Sequence, residues 1–360
     1  MIRGVSLFAN VGIAETYMKQ YGIKIVVANE LLKKRAMFHT HMHPQCKMVE
    51  GDITQETVFE KILSHAQKKK CDFLIATPPC QGMSLAGKMQ ENDPRNSLIK
   101  YVIKMTQRLQ PTNILIENVP RVLETYLVHK KRKIKITEFI KEELEPLGYI
   151  INPVIVDSAD YGTPQRRRRA IFLISKLKKW ELPPKQNKIT VREAIEHLPS
   201  LESRELSNIA FHYAKKHNPR HIAFLHHTPS GKSALINKVH YPKKEDGTRI
   251  KGYDTTYKRI AWDKPSPTIT MANGSISSQN NVHPGRKRKD GTYSDARVLT
   301  LKEIFILSGL PDNWTPPEWA RENLIREVIG EGVPPKLVGS LLSTMPKEVK
   351  NKNLQTKRKV

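Results

Sequence analysis

The stretches GVSLFANVG (residues 4–12) and KIVVANE (residues 24–30) set the pattern of the first half of the chain. Each begins with apolar or β-branched residues and ends in polar or turn-forming ones. Similar runs occur at 47–49, 72–76, 113–116, 150–156 and 170–174. Stretches with helical spacing lie between most of them, at 12–21, 31–42, 54–68, 96–109 and 136–147. This alternation predicts a doubly wound, Rossmann-like α/β domain built on a parallel sheet.

The pattern changes after Lys176. Pro183 and Pro184 with the polar residues that follow are typical of a linker, and the chain then shows short segments rich in Gly, Pro and His up to about residue 325. Helical spacing returns at 324–329 and 336–342. We therefore expect a large domain made of 1–176 plus 326–360, and a smaller domain over 177–325.

The charge balance restricts the class of partner. The 360 residues include 61 Lys and Arg against 35 Asp and Glu, a formal net charge of +26. Such a balance favours a polyanion, either a nucleic acid or an anionic membrane surface.

No apolar run approaches the twenty residues of a membrane span, and the first residues lack the pattern of a signal peptide. Three cysteines are too few for a disulfide scaffold. We expect a cytoplasmic protein with free thiols.

Polar and turn-forming residues follow five successive predicted strands. Because ligands of an open parallel sheet bind beyond the carboxyl ends of the strands, these residues predict one pocket rim. The rim residues are Phe8 to Gly12, Asn29 and Glu30, Gly51 to Ile53, Pro78 to Gly82, and Glu117 to Pro120.

The rim suits a nucleoside cofactor without a pyrophosphate. The Glu30 carboxylate can accept hydrogen bonds from both hydroxyls of a ribose, and Asp52 can accept from the amino group of adenine. Asn10 and Ile13 stand where a phosphate-binding G-x-G-x-x-G loop needs glycine, so this fingerprint is missing. These features together indicate S-adenosylmethionine.

Cys80 stands out among the three cysteines because it lies in a sharp Pro-Pro-Cys-Gln-Gly turn. A thiol there can become a nucleophilic thiolate if cationic or helix-terminal neighbours lower its pKa. For Cys46 and Cys71 we expect the usual role of small buried hydrophobes.

A metal site is the alternative for His39, His41, His43 and Cys46. The i, i+2, i+4 spacing of the histidines does not line one face of a helix, and no second ligand cluster is evident in the sequence. We expect no metal.

Three motifs carry a family resemblance: TPPCQGMS (77–84), IENVP (116–120) and QRRRR (165–169). In this order they resemble the cytosine-C5 DNA methyltransferases of bacterial restriction–modification systems. The resemblance covers nearly the whole chain and extends to LFANVG (7–12), ANE (28–30), GDI (51–53), DPRNSL (93–98), PSPTIT (265–270), HPG (283–285), RVLTLKE (297–303) and GEGVPPKLV (330–338). The chain departs from the family pattern at Ser6, Asn10, Ile13, Leu31 and Glu331.

The resemblance implies a role for each matching residue. Cys80 is expected to add to C6 of cytosine, while Glu117 holds and protonates N3. Gln165, Arg167 and Arg169 alternate along an extended strand and so point one way, which lets Arg167 and Arg169 reach the base oxygen O2 while Arg166 and Arg168 face elsewhere. Further substrate contacts are expected from Gln81, Ser84, Asn118 and Gln165. Cofactor contacts are expected from Phe8, Asn10, Gly12, Glu30, Asp52, Ile53, Pro79 and Leu98.

The expected substrate is double-stranded DNA, from which the target cytosine must be flipped out. The variable region between Arg169 and Arg297 is expected to read the sequence from the major groove, with candidate residues in 228–259. A cognate restriction endonuclease acting separately and a monomeric state complete the expectation. Two alternatives remain: a transfer RNA cytosine-C5 methyltransferase, and a catalytically silent DNA-binding subunit, against which the presence of both Cys80 and Glu117 argues.

Overall fold

The computed structural model describes residues 1–79 and 97–348. Nine strands occur in this part of the chain: β1 (Ile2–Leu7), β2 (Ile23–Glu30), β3 (Lys47–Glu50), β4 (Phe73–Ala76), β5 (Asn113–Asn118), β6 (Tyr126–His129), β7 (Arg132–Lys135), β8 (Ile150–Asp157) and β9 (Arg168–Ser175). Seven of them form one sheet in the order β3-β2-β1-β4-β5-β9-β8, and β6 pairs with β7 as a separate hairpin. The order places β1 between β2 and β4, as in a doubly wound sheet.

The helices that the structure describes are α1 (Lys33–Met42), α2 (Glu56–Lys68), α3 (Ile99–Leu109), α4 (Ile136–Leu144), α5 (Val191–Ile195), α6 (Pro219–His226), α7 (Leu301–Leu307), α8 (Glu322–Glu331) and α9 (Pro335–Ser343). Within the described ranges, no helix has the length and apolar character needed to cross a membrane. The helix predicted over 12–21 is instead two short 3-10 turns, Ile13–Glu15 and Met18–Tyr21.

The sheet differs from the predicted all-parallel arrangement in one strand. β9 runs antiparallel to both of its neighbours, β5 and β8. The chain passes from β8 to β9 through only ten residues, Ser158 to Arg167. A parallel crossover needs a dozen residues or more, so this short connection requires an antiparallel return.

The two faces of the sheet are covered by different parts of the chain. On one face, apolar side chains of α2, α3 and α4 pack on the sheet in a cluster that includes Phe59, Val102 and Phe139. On the other face, Leu337 and Leu341 of α9 pack on it together with Trp180, in a second cluster. The C-terminal segment therefore completes the core around this sheet.

The middle of the chain has a small apolar core of its own and a larger shared one. Phe224, Leu225 and Val298 belong to the small cluster. The shared cluster joins Val11 and Phe38, from the first part of the chain, to residues of α5, α7 and α8. The division of the chain after residue 176 and before residue 326 stays a prediction.

A buried ionic network stabilises the middle segment. The Arg297 guanidinium donates to both oxygens of Glu303, at 2.9 and 2.8 Å, and to Asp295 Oδ1 at 2.9 Å. All three side chains are almost completely buried. His283 lies against the same carboxylates, although burial lowers its pKa to about 3. The HPG and RVLTLKE motifs thus have structural partners inside the fold.

Removing Arg297 should strongly destabilise the protein. Arg297→Met leaves the Asp295 and Glu303 carboxylates buried without their main cation, and we expect the free energy of unfolding to fall by about 3 kcal/mol. Urea unfolding followed by circular dichroism measures this loss. The control is Arg132→Met, because the Arg132 ion pair with Glu142 is exposed and is expected to contribute less than about 1 kcal/mol. Equal losses for the two variants would contradict the structural role.

Candidate active site

The strand register brings the predicted rim residues to one edge of the sheet. Leu7, the last residue of β1, pairs with Asn29 on one side and with Ala76 on the other. Ala76 pairs in turn with Ile116 of β5. The residues that follow these positions are Phe8, Glu30, Thr77 and Glu117, so they emerge side by side.

The first loop of the rim has an unusual backbone. Phe8 and Asn10 have φ of 57° and 50°, and Gly12 has φ of 79°. A β-carbon on Gly12 would lie 2.2 Å from Nε2 of His43, so both its conformation and its surroundings require glycine. Two non-glycine residues in the left-handed region form a strained turn, which is typical of functional loops.

Glu30 is buried at the end of β2, and both of its carboxylate oxygens are held. The backbone N–H of Asn10 donates to Oε2 at 2.9 Å, and that of Leu32 donates to Oε1 at 3.0 Å. The side chain of Asn10 reaches across to α8, where Nδ2 lies 3.5 Å from Oε2 of Glu331. Two residues that depart from the family pattern, Asn10 and Glu331, therefore contact each other.

Three of the predicted adenine contacts belong to the large apolar cluster on one face of the sheet. Ile53 is buried in the same apolar cluster against which Phe8 and Leu98 pack as half-buried side chains. Asp52 is half-buried, and its Oδ1 accepts a hydrogen bond from the backbone N–H of Thr54 at 2.9 Å. Pro79 is half-buried at the end of the described segment that follows β4.

Behind the first loop lies a buried ionic cluster of Glu15, His39 and His43. His39 Nε2 donates to the Glu15 carboxylate at 3.2 Å, and His43 Nε2 donates to the carbonyl of Gly12 at 3.1 Å. Ligand atoms of the three residues lie within 4.8 Å of one another. The spacing argument above is thus incomplete: His41 is exposed, but His39 in α1 and His43, the residue that follows α1, both lie close to Glu15.

The Glu15 carboxylate makes stability depend on pH. Burial alone would raise its pKa, but the ion pair with His39 and the charge of His43 outweigh burial and lower the pKa to about 2, from 4.5. A lowered folded-state pKa stabilises the protein above the unfolded pKa, and this stabilisation is lost as the pH falls towards 2. We expect the contribution of Glu15 to the free energy of unfolding to fall by about 2 kcal/mol between pH 6 and pH 3.

This expectation is tested by urea unfolding of the wild type and of Glu15→Gln at a series of pH values. The wild type should lose stability more steeply than the variant over this range, because only the wild type must protonate a paired carboxylate. Parallel curves for the two proteins would show that Glu15 does not titrate as described.

Glu117 and Arg169 form the ionic centre of the rim. Arg169 Nε lies 2.6 Å from Oε1 of Glu117, and both side chains are largely shielded from solvent. Glu117 is the penultimate residue of β5 and Arg169 is the second residue of the adjacent strand β9, so the antiparallel pairing of the strands places them together. A carboxylate and a guanidinium side by side can contact adjacent acceptors and donors of one planar base.

The side chains of the QRRRR run alternate between buried and exposed, but the buried ones have different partners. Gln165 and Arg167 are buried, whereas Arg166 and Arg168 are exposed. Arg167 donates to the backbone carbonyls of Ile269, Gly330 and Glu331, at 3.1, 2.9 and 2.9 Å. These hydrogen bonds join β9 to the middle segment and to α8, and contact of Arg167 with the base stays a prediction.

Gln165 and Asn118, two of the predicted substrate contacts, bind backbone segments around the site. The Gln165 side chain accepts from the backbone N–H of Ile269 at 3.2 Å and donates to the carbonyl of Leu307 at 3.4 Å. Asn118 donates to the carbonyl of Pro78 at 3.2 Å and accepts from the N–H of Val119 at 2.8 Å. Both side chains are buried, and their contact with the substrate stays a prediction.

Cys80, Gln81 and Ser84 lie outside the described residues. The residues that lead to them are well anchored, since Thr77 Oγ1 donates to the carbonyl of Phe8 at 2.9 Å and Asn118 holds Pro78. Sequence reasoning missed Thr77, and it missed Arg35, which pairs with Glu327 and Glu331. Neither has a local signal, because the contacts of both residues are distant in sequence.

Comparisons with known proteins show the family of the chain. The sequence matches the family described as C-5 cytosine-specific DNA methylase over residues 2–347. It is 49% identical to the Type II methyltransferase M1.HgaI of Avibacterium volantium, over 98% of this chain and 99% of that protein. It is 29% identical to the Type II methyltransferase M1.HphI of Haemophilus parahaemolyticus, over 84% of this chain and 76% of that protein.

Solved structures support the same fold. A DNA modification methyltransferase encoded within a prophage of E. coli superposes with a TM-score of 0.68 at 19% identity, over 96% of this chain and 98% of that one. A mutant of Spodoptera frugiperda DNMT2 superposes with a TM-score of 0.65 at 16% identity, over 96% and 99% of the two chains. Together with the sequence match over nearly its whole length, these findings confirm the resemblance: the chain belongs to the family of C-5 cytosine-specific DNA methylases and is a cytosine-C5 DNA methyltransferase.

Proposed function

We propose that this enzyme transfers a methyl group from S-adenosylmethionine to C5 of a cytosine flipped out of a specific double-stranded DNA sequence, through a covalent bond between Cys80 and C6. The observation that carries the proposal is the Glu117–Arg169 pair at the carboxyl end of β5, beside the chain that leads into Pro78 and Pro79.

The residues of the first loop fit S-adenosylmethionine. Glu30 is buried and ordered by two backbone N–H groups, and a carboxylate retains lone pairs that can accept from ribose hydroxyls. Asn10 Oδ1 is buried without a hydrogen-bond partner in the described part of the chain, and it could accept from an amino group. Phe8, Ile53 and Leu98 offer an apolar surface for adenine. When bound, the cofactor supplies an electrophilic methyl group on a sulfonium.

The Glu117–Arg169 pair suits the polar edge of cytosine. In the proposal Glu117 carries the proton that is shared with N3, and the Arg169 guanidinium donates to O2. Arg169 is held for this task by Glu117 at Nε and by the carbonyl of Arg168, to which Nη1 donates at 2.8 Å. A guanidinium with two of its positions fixed loses little freedom when it binds a further acceptor.

The proposed reaction balances through these residues. The Cys80 thiolate adds to C6 while Glu117 protonates N3, so no full negative charge develops on the ring. C5 would thereby become a nucleophile and bond to the methyl carbon, while the bond from that carbon to the sulfonium sulfur breaks and S-adenosylhomocysteine leaves. A base then removes the proton from C5, the Cys80–C6 bond breaks, and the proton on N3 returns to Glu117. The thiolate and the protonated Glu117 carboxyl group are thus regenerated.

The DNA partner fits the charge of the chain. A net charge of +26 provides nonspecific attraction to DNA phosphates, and this attraction weakens as the salt concentration rises. We place sequence reading in 177–325, with candidates in 228–259, where the Tyr253 side chain is 81% exposed. The proposal includes monomeric action, a cytoplasmic location, and a separate restriction endonuclease that recognises the same sequence.

The test is expression in a bacterial host that lacks cytosine methylation, followed by bisulfite sequencing of the genome. The expected result is methylated cytosine confined to one short motif, and no methylation with Cys80→Ala expressed at the same level. An unmethylated genome from a soluble, folded wild-type protein would contradict the proposal. Transfer RNA from the same cells would then be the next substrate to test.

A further inference from the structure

Arg35 links the helix that follows Glu30 to the end of α8. It lies in the first turn of α1, five residues after Glu30. Its Nη2 is 2.5 Å from Oε1 of Glu327, and its Nη1 is 2.5 Å from Oε2 of Glu331. The Arg35 side chain is only 13% exposed, so this pair is better shielded from water and salt than an ordinary surface ion pair.

The link continues from Glu331 into the first loop of the rim. The same Glu331 oxygen lies 3.5 Å from Nδ2 of Asn10, and Nδ2 also lies 3.4 Å from the carbonyl of Val328. The backbone N–H of Asn10 donates to Glu30. Arg35, Glu331, Asn10 and Glu30 therefore form one connected set around the proposed cofactor site.

The end of α8 is a fixed anchor for this set. Arg167 donates to the carbonyls of Gly330 and Glu331. A β-carbon on Gly330 would lie 2.4 Å from the backbone of Thr270, so α8 approaches that segment as closely as glycine permits. Because these contacts are independent of Arg35, its removal should affect the loop and leave α8 in place.

We infer that Arg35 and Glu331 are positioning residues that hold Asn10 and Glu30 in the geometry needed to bind the cofactor. Without Arg35, the Glu30, Glu327 and Glu331 carboxylates would share one region without their common cation. The Glu331 side chain would turn towards solvent, and Asn10, which has a left-handed backbone, would lose a partner. This inference rests on the proposed function, since it assumes that the rim binds S-adenosylmethionine.

The experiment measures binding of S-adenosylhomocysteine, the demethylated cofactor, by isothermal titration calorimetry with the full chain. We expect Arg35→Met to raise Kd about tenfold, as is typical for the loss of a shielded charge-assisted contact. The KM for S-adenosylmethionine should rise with it, while kcat and the KM for DNA stay within about twofold. Arg108→Met is the matched control, because Arg108 makes an exposed ion pair with Glu60, between α2 and α3.

The variants distinguish positioning from general stability. Arg35→Lys should recover part of the affinity for S-adenosylhomocysteine. The double variant Arg35→Met with Glu331→Gln should bind no more weakly than Arg35→Met alone, because the two substitutions remove the same contact. A wild-type protein that does not bind S-adenosylhomocysteine would overturn the proposed cofactor site and this inference with it. A wild type that binds, beside a folded Arg35→Met with unchanged Kd, would overturn the inference alone. If Arg35→Met does not fold, Glu331→Gln takes its place. A folded Glu331→Gln with unchanged Kd would then overturn the inference.

Discussion

Replacing Cys80 with alanine should reduce methyl transfer at least about 10⁴-fold, because the proposed reaction depends on a covalent nucleophile. C5 of cytosine is a poor nucleophile until a group adds to C6, and alanine offers no such group. Transfer of tritiated methyl groups from S-adenosylmethionine to DNA measures the rate. Binding of S-adenosylhomocysteine should stay unchanged, which separates loss of chemistry from loss of folding.

A second cysteine provides the control for this prediction. Cys71 is buried, and burial raises the pKa of its thiol to about 11, so it remains protonated at neutral pH. Cys71→Ala should therefore keep its methyl-transfer rate within a fewfold of the wild type. Residual transfer by Cys80→Ala within tenfold of the wild-type rate would remove Cys80 from the mechanism.

The covalent step can also be observed directly. DNA with 5-fluorocytosine at the target position has no proton at C5 for a base to remove, so the Cys80–C6 bond would persist after methyl transfer. The wild type should give a protein–DNA complex that survives denaturing electrophoresis, and Cys80→Ala should give none. A stable complex with Cys80→Ala would point to another nucleophile.

The strands and the site edge were predictable because they depend on local patterns. Apolar runs located the strands, and the residues at their carboxyl ends emerge together because the register of neighbouring parallel strands aligns them. The β6–β7 hairpin was missed because its turn consists of Lys130 and Lys131, with φ of 48° and 65°. Such turns are usually signalled by Asn-Gly, which has a much lower cost in this conformation.

The individual contacts of the residues in QRRRR could not be predicted, because they depend on distant parts of the chain. Strand alternation correctly separates residues 165, 167 and 169 from 166 and 168. What each inward side chain meets depends on segments far along the chain: Ile269 and Leu307 for Gln165, and Gly330 for Arg167. The Asn10–Glu331 contact likewise joins residues 321 positions apart. One sequence contains no signal for such pairs.

Glu117→Gln should lower the single-turnover rate of methyl transfer about 10³-fold at saturating DNA and cofactor, the scale of lost general-acid catalysis. Glutamine nearly matches the size of glutamate and can still accept from Arg169 Nε, so the 2.6 Å contact between β5 and β9 is largely retained. It cannot deliver a proton to N3, and the negative charge of C6 addition would then remain on the ring. The expected result is therefore a loss in rate with little change in DNA affinity.

The same geometry predicts that Glu117 and Arg169 act as one unit. Arg169→Lys keeps a positive charge but loses the planar guanidinium that contacts Glu117 and would donate to O2, and we expect a loss of about 10²-fold. Combined with Glu117→Gln it should cost far less than the product of the two single losses, because Glu117→Gln removes the negative charge of the ion pair and Arg169→Lys removes its planar donor, so each variant already weakens the same pair. Arg168→Ala is the control, since Arg168 is exposed in the same run and should keep its single-turnover rate. Fully multiplicative losses would mean that the two residues act on the base independently, and the ion pair would then have no part in catalysis.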